Sequence, residues 1–321
     1  MDLNNIYKLV QDDLGKVEQA LEAATRAEFP LLTELLAYAL GSGGKRIRPA
    51  LTLLSGKFYH YDISLLVPMG AATELLHTAT LVHDDIVDHS PVRRSRPTVS
   101  RTWGENRALL LGDYLFAKAG RLCADTENLR VIKLFAQTLM TISGGEVRQT
   151  AFVLEFKSAR DYYYSWISAK TACLFSLSTE SGAILSQAPE DAIQALRDYG
   201  HYFGMAFQVV DDVLDFVGNE AEVGKPVGSD LNEGAVTLPT ILYAESHPEE
   251  NALIRKAIET KDAQLVTSIV QMVRTSPVIA QCLDIAADFS LRAREAMDIL
   301  PDSSARRSLV ALANYVVQRR K

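Results

Sequence analysis

Two acidic clusters of the same type stand far apart in the sequence and carry its main chemical signal. Both follow the pattern Asp-Asp-x-x-Asp, and their aspartates are Asp84, Asp85, Asp88, Asp211, Asp212 and Asp215. On a helix, residues at positions i and i+4 project from one face, so the first and last aspartates of each cluster stack one turn apart. Their charges repel each other unless a cation lies between them.

Apolar segments with the character of core helices precede both clusters, at residues 75–82 and 204–210. The acids therefore stand at the ends of buried segments, where an uncompensated carboxylate costs on the order of several kcal/mol. Hard oxygen ligands without a set of histidines or cysteines favour magnesium, which keeps some of its waters and bridges to phosphate oxygens. One such cluster could be an ordinary solvated helix face, but two with apolar flanks predict a site for magnesium and a diphosphate.

Basic residues are concentrated in two places that would suit a second anion. Lys45, Arg46 and Arg48 follow the glycines of the segment 41–49, and Arg93 and Arg94 follow the first acidic helix. Arginine binds phosphate oxygens with paired donors and lysine adds a point charge, so together they could hold a diphosphate without metal. His77 lies two helical turns before Asp84 on the same face. It could donate to that diphosphate, or be a buried histidine satisfied by its neighbours.

A second loop rich in glycine and charge covers residues 224–230 and includes Lys225. Its composition favours a mobile lid over a passive turn. Ordinary turns with solvated cations are the alternative for this loop and for residues 41–49.

The composition is that of a folded protein with a large core. Of 321 residues, 48% are hydrophobic and 23% are charged, and the formal net charge is −7. This balance argues against a broad basic surface for nucleic acid. Three distant cysteines without a CxxC pair favour free thiols in a reducing cytoplasm. We see no secretion signal and expect no membrane span, while contact with a membrane surface stays open.

Apolar residues recur at helical spacing from end to end, whereas strand signals are nearly absent. This pattern predicts an all-α protein. The prolines fall mostly where helices should begin or end, which divides the chain into roughly ten helices. Since no linker or low-complexity stretch separates two halves, we expect a single domain over residues 1–321.

Taken together, these motifs resemble the trans-isoprenyl diphosphate synthase (polyprenyl synthetase) family, and most of all its long-chain polyprenyl diphosphate synthases. The matching segments occur in the same order along nearly the whole chain and are residues 44–49, 74–85, 93–94, 97–98, 170–171, 207–215 and 315–319. The resemblance implies a large helical bundle around a central cavity, usually as a homodimer.

The resemblance also implies roles for individual residues. About three magnesium ions would bind to the six aspartates and to the diphosphate of an allylic substrate. Contacts with that diphosphate are implied for Arg93, Lys170 and Lys225, with Thr171 and Gln208 near the reacting carbons. A second substrate, isopentenyl diphosphate, would contact Lys45, Arg48, His77, Arg94 and Phe207.

The reaction implied is the condensation of isopentenyl diphosphate with farnesyl or geranylgeranyl diphosphate to give a longer all-trans polyprenyl diphosphate. Ionisation of the allylic diphosphate, attack by the double bond and loss of a proton complete each step. Because water would trap the carbocation, the cavity must be apolar and closed.

Product length depends on the helix that carries Asp84, because the growing chain would run along it. The positions concerned are Ala79, Thr80 and Leu76, which carry no aromatic ring. We therefore expect a long product of about six to ten isoprene units, with a geranylgeranyl diphosphate synthase as the alternative.

Other functions fit the residues less well. A terpene cyclase would normally lack the second aspartate cluster, and a His-Asp phosphohydrolase would need further histidines at matching intervals. A non-catalytic partner subunit of a heteromeric synthase would lose the metal-binding acids, which are intact here. Two positions depart from the family: Ser95 stands where glycine is frequent, and Ala235 stands where many members carry lysine near the lid.

Overall fold

The computed structural model describes residues 2–41, 43–150, 155–218 and 227–319. In the N-terminal half, the helices are α1 Leu3–Tyr7, a 3-10 turn Lys8–Val10, α2 Gln11–Ala24, α3 Pro30–Leu40, α4 Ile47–Gly56, α5 Ile63–Val87, α6 Val99–Trp103, α7 Glu105–Ala124 and α8 Leu129–Thr150. Two short strands, β1 Val92–Arg93 and β2 Arg96–Pro97, lie between α5 and α6.

The second half is also helical. It contains α9 Ala159–Ile167, a π-helical turn Ser168–Ala172, α10 Cys173–Leu185, α11 Glu190–Val217, α12 Ser229–Glu233, α13 Leu238–Ser246, a 3-10 turn Pro248–Glu250, α14 Asn251–Thr260, α15 Ala263–Thr275, α16 Val278–Ala296 and α17 Ser304–Gln318. The predicted all-α fold is confirmed.

Side-chain caps mark several helix starts. The carboxylate of Asp62 accepts from the backbone N–H of Ser64 at the start of α5, and Asp262 and Ser303 cap α15 and α17 in the same way. The expectation that prolines stand at helix ends fails at Pro68, which lies inside α5. It occupies the second turn of that helix, close to the end where backbone N–H groups have no intrahelical acceptor.

The strands β1 and β2 form a tight antiparallel turn that the helical pattern did not predict. Val92 pairs with Pro97 and Arg93 with Arg96, while Arg94 and Ser95 form the turn at φ values of 51° and 59°. Two residues in left-handed conformation are typical of a two-residue hairpin loop. Ser95 therefore adopts a backbone conformation in which glycine would be unstrained.

Glycines bring α10 and α11 into direct backbone contact. A Cβ atom at Gly200 would lie 2.7 Å from the carbonyl oxygen of Phe175, and one at Gly204 would lie 2.5 Å from the Cα atom of Ala172. Any larger side chain would push the helices apart. This contact holds the π-helical turn against the helix that carries the second acidic cluster.

Helix α5, which carries the first acidic cluster, is largely buried. Among the described residues it is the one helix long and apolar enough to cross a membrane, yet 61% of its apolar window is buried inside the structure. A core helix of a folded protein meets the same criteria, and α5 packs against α2, α4, α7 and α10.

Candidate active site

A cavity of about 640 Å³ brings most of the predicted site residues together. The predicted residues in its wall are Arg48, His77, Thr80, Asp84, Asp88, Arg93, Lys170, Thr171, Phe207, Gln208, Asp211 and Asp212. They come from separate helices, mainly α5, α11 and the π-helical turn. Two aspartates of each acidic cluster thus face one space, and three of the predicted cations, Arg48, Arg93 and Lys170, face it with them.

Asp84 lies half-buried at the end of α5, opposite the π-helical turn. The ammonium of Lys170 stands 4.0 Å from its carboxylate and 3.0 Å from that of Glu146 on α8. Burial raises the pKa of Asp84 to about 6, although the charge of Lys170 opposes the shift. Glu146 is an acid of this site that sequence reasoning missed, because only its position on α8 brings it to Lys170.

Asp212 is buried and its two carboxylate oxygens have different donors. The hydroxyl of Tyr163 donates to Oδ2 at 2.6 Å, and the amide of Gln208 donates to Oδ1 at 2.8 Å. The hydroxyl of Thr171 in turn donates to the amide oxygen of Gln208 at 2.7 Å. Burial raises the pKa of Asp212 to about 7, against the effect of the two donated hydrogen bonds.

Asp211 is partly exposed and pairs with the last described residue of the chain. The guanidinium of Arg319 lies 2.7 Å from its Oδ1 atom, donates to the carbonyl oxygen of Phe207 at 2.6 Å, and stands 3.9 Å from the centre of the Phe207 ring. The side chain of Arg319 is only 4% exposed. Sequence reasoning assigned it no role, although it ends the last family motif.

Asp85 and Asp215 do not belong to the cavity wall. Asp85 is buried, and its carboxylate accepts from the guanidinium of Arg93 at 2.7 Å. The carboxylate of Asp215 accepts from the N–H and hydroxyl of Ser229 and from the N–H of Asp230, at the start of α12. Their predicted role as metal ligands stays a prediction.

The predicted second anion site has Arg48 and His77 in the cavity wall. The guanidinium of Arg48 lies 4.3 Å from the centre of the Phe175 ring, and among the described residues its buried Nε finds no hydrogen-bond acceptor. Burial lowers the pKa of Arg48 to about 10. Burial and the nearby guanidinium groups also hold the pKa of His77 well below its usual value, so this histidine is a neutral donor.

The other basic residues of the motifs have different surroundings. Arg46 pairs with Glu18 and Glu74 at 2.5 and 2.9 Å, so it stabilises the loop. Arg94 donates to the carbonyl oxygen of Gly43, and neither it nor Lys45 belongs to the wall of the main cavity. Lys225 lies outside the described residues.

The positions predicted to control product length differ in their exposure to the cavity. Thr80 belongs to the cavity wall, whereas Ala79 and Leu76 are fully buried in the core and do not. Ala235, where the family frequently has lysine, is in the wall together with Arg255. Arg255 is a basic residue of this cavity that the motifs did not indicate.

The donor chemistry of the cavity fits divalent metal ions. Within the described ranges, no three His, Cys, Asp or Glu side chains lie close enough to hold an ion by themselves. The cavity instead offers Asp84 on α5 and Asp88 directly after the end of that helix, and Asp211 and Asp212 on α11. Two pairs of hard oxygen ligands suit a cation that completes its coordination with water and substrate phosphate oxygens.

Comparison with known proteins agrees with this geometry. The polyprenyl synthetase family model matches residues 29–275, and the chain belongs to this family. It is 37% identical over 319 residues to heptaprenyl diphosphate synthase component 2 of Geobacillus stearothermophilus, with 99% of each chain covered.

Two solved structures have the same fold over the whole chain. Polyprenyl synthase from Caulobacter crescentus CB15, complexed with calcium and isoprenyl diphosphate, superposes with a TM-score of 0.94 at 31% identity, covering 100% of this chain and 98% of that one. A decaprenyl diphosphate synthase from Rhodobacter capsulatus gives a TM-score of 0.92 at 36% identity, with complete coverage of both chains.

We predict that Mg²⁺ with inorganic pyrophosphate raises the melting temperature more at pH 8 than at pH 5.5. The pKa values of Asp84 and Asp212, about 6 and about 7, lie above the ordinary value of 3.8. Their protons therefore stabilise the folded state, and the metal-free protein loses this stability as the pH rises from about 4 to 7. Metal bound to the ionised carboxylates restores about 2.7 kcal/mol at 100 times its Kd.

Differential scanning fluorimetry at the two pH values measures this effect. In the double variant Asp84→Asn with Asp212→Asn, the rise in melting temperature should differ much less between the two pH values. Any difference that remains in this variant measures the effect of protonation of pyrophosphate itself. Equal stabilisation of the wild type and the double variant would contradict the prediction.

Proposed function

We propose that this protein is a magnesium-dependent trans-prenyltransferase that condenses isopentenyl diphosphate with farnesyl or geranylgeranyl diphosphate. The whole chain forms one catalytic domain, and the product is a longer all-trans polyprenyl diphosphate. The observation that carries the proposal is one cavity that contains aspartate pairs from two helices beside Lys170, Arg93 and Arg48. Magnesium ions, about three in each site, supply positive charge to the allylic diphosphate when bound.

The protein's own cations divide the cavity between two substrates. Lys170 and Arg93 stand beside the first acidic cluster, where they bind the allylic diphosphate and stabilise charge that develops on its leaving oxygen. Arg48 and His77 bind isopentenyl diphosphate on the same cavity wall. Since the Nε atom of Arg48 is buried without an acceptor in the described residues, an anion there would compensate its burial.

The reaction needs a dry space between the two anions. Leu81, Ile167 and Leu174 add apolar surface to the wall near Thr171 and Gln208. The allylic C–O bond breaks with its electron pair on the diphosphate, and the double bond of isopentenyl diphosphate forms the new C–C bond. The released diphosphate then accepts the proton, because Asp84, Asp88, Asp211 and Asp212 would be occupied by metal.

Activity of the purified chain tests this function. With Mg²⁺, labelled isopentenyl diphosphate and farnesyl or geranylgeranyl diphosphate, the wild type should release extended alcohols after dephosphorylation. We expect Asp84→Asn and Asp211→Asn to lower kcat/KM about 100-fold or more, because each removes a charge that holds metal at the developing anion.

Asp302→Asn is the matched control, since Asp302 is exposed and pairs only with Arg307 among the ion pairs of the described residues. It should retain wild-type activity. Absence of any extended product with either primer would refute the proposed function.

Relatives named as a heptaprenyl diphosphate synthase component and a decaprenyl diphosphate synthase support a long product for this chain; a geranylgeranyl product is the alternative. We predict that Ala79→Tyr and Thr80→Tyr shorten it. Thr80→Tyr places a ring in the path of the growing chain, whereas Ala79→Tyr, at the preceding position buried outside the cavity wall, adds bulk beside that path. Thr80→Tyr acts directly, since Thr80 faces the cavity. Chromatography of the dephosphorylated products gives chain length, and Thr267→Tyr, at an exposed position on α15, is the control. An unchanged product from Thr80→Tyr would remove this assignment.

A homodimer is supported by exposed apolar residues on two long helices that pack together. Leu110 on α7 is 66% exposed, and Met140 and Val147 on α8 are 67% and 70% exposed. Contact with a second copy would bury this surface. Light scattering should therefore give twice the 35.4 kDa of one chain, and Leu110→Asp should lower that mass; a monomeric wild type would exclude the homodimer.

A relative named as component 2 raises the alternative that this chain is a subunit of a heteromeric enzyme. The intact aspartate pairs favour catalysis by this chain rather than a non-catalytic role. We also place the enzyme in the cytoplasm, since Cys123, Cys173 and Cys282 are free thiols. Peripheral contact with a membrane would help an apolar product to leave.

A further inference from the structure

Tyr163 on α9 is fully buried and lies outside the cavity wall, yet its hydroxyl donates to the Oδ2 atom of Asp212 at 2.6 Å. The two residues are 49 positions apart in the sequence. The side chain of Tyr163 therefore does not line the cavity, but its hydroxyl is aimed at an acid that does.

The surroundings of Tyr163 fix the direction of this hydrogen bond. Its ring packs edge-to-face on Trp166 and Tyr164, with ring centres 6.2 and 5.6 Å apart. A buried aromatic ring on a helix has only two side-chain torsions to hold. The hydroxyl is therefore presented to Asp212 from a nearly rigid support.

The other oxygen of Asp212 is held from the opposite side. Gln208 donates to Oδ1 at 2.8 Å, and Thr171 fixes the orientation of that amide by donating to its oxygen at 2.7 Å. A carboxylate held at both oxygens cannot rotate about its Cβ–Cγ bond without losing a donor in a buried place. Each oxygen has more than one lone pair, so these bonds leave lone pairs for a cation.

We infer that Tyr163 is a positioning residue for the second aspartate cluster, and that its hydroxyl orients Asp212 for the metal that binds the allylic diphosphate. The inference rests on the proposed function. Residues that hydrogen-bond to a metal ligand fix its orientation, and their loss typically costs about 10–100-fold in metal affinity or activity. Tyr163 therefore controls metal affinity without contacting the metal.

The test replaces Tyr163 with phenylalanine, which keeps the ring and removes the hydroxyl. Binding of Mn²⁺ in the presence of inorganic pyrophosphate, followed by electron paramagnetic resonance, should weaken about 10-fold or more. In turnover, the Mg²⁺ concentration for half-maximal rate should rise by a similar factor. At saturating Mg²⁺, the KM for isopentenyl diphosphate should stay unchanged.

Tyr164→Phe is the matched control, because it removes a hydroxyl from the neighbouring tyrosine and should leave Mn²⁺ affinity unchanged. Tyr163→Met removes the same donor with a more adaptable side chain and should show the same loss, so the test does not depend on one variant. In an Asp212→Asn background, Tyr163→Phe should have no further effect on Mn²⁺ binding, since the acceptor it orients is already altered.

Wild-type Mn²⁺ affinity in folded Tyr163→Phe and Tyr163→Met would overturn the inference and leave the proposed function intact. A wild-type protein that forms no extended product would instead refute the proposed function itself. Equal losses in Tyr163→Phe and Tyr164→Phe would also overturn the inference, because the effect would then come from packing of the aromatic cluster.

Discussion

Carboxylates removed from water on two separate helices set the constraint that the rest of this site must satisfy. Burial raises the pKa values of Asp84 and Asp212, so the ionised form of each is unfavourable without a compensating charge or hydrogen-bond donor. The chain supplies part of it through Lys170 at Asp84 and through Tyr163 and Gln208 at Asp212. Divalent cations would supply the rest of the compensating positive charge, as expected for the proposed function.

Close backbone packing between helices brings the two acidic clusters and Lys170 to the same cavity. The contact at Gly204 holds α11 against Ala172, the last residue of the π-helical turn. One residue earlier, Thr171 reaches Gln208, and Lys170 faces the first cluster. A π-helical turn inside a helix changes the direction of the side chains that it carries, and such turns are frequent at functional sites. The acids of two helices are thereby tied to one short segment.

Much of this site could be predicted because it depends on local spacing. Aspartates four residues apart on apolar helices indicate the metal-binding function, and helical periodicity indicates the fold. The remaining features depend on contacts between distant segments. Nothing in the run of three tyrosines at 162–164 distinguishes Tyr163 as the partner of Asp212. From the sequence, Arg46 belongs with the cations that could bind a substrate, and only the structure shows that it pairs with Glu18 and Glu74. The contact of Asp215 with Ser229 at the start of α12 could not be predicted either, and the role of Asp215 as a metal ligand stays a prediction.

The contact of Arg319 with Phe207 and Asp211 bears on how the protein should be handled. Because the side chain of Arg319 is only 4% exposed, a label or substitution at this position would take a guanidinium away from Asp211 and from the Phe207 ring. Spectroscopic probes are therefore better attached at an exposed position such as Asp302.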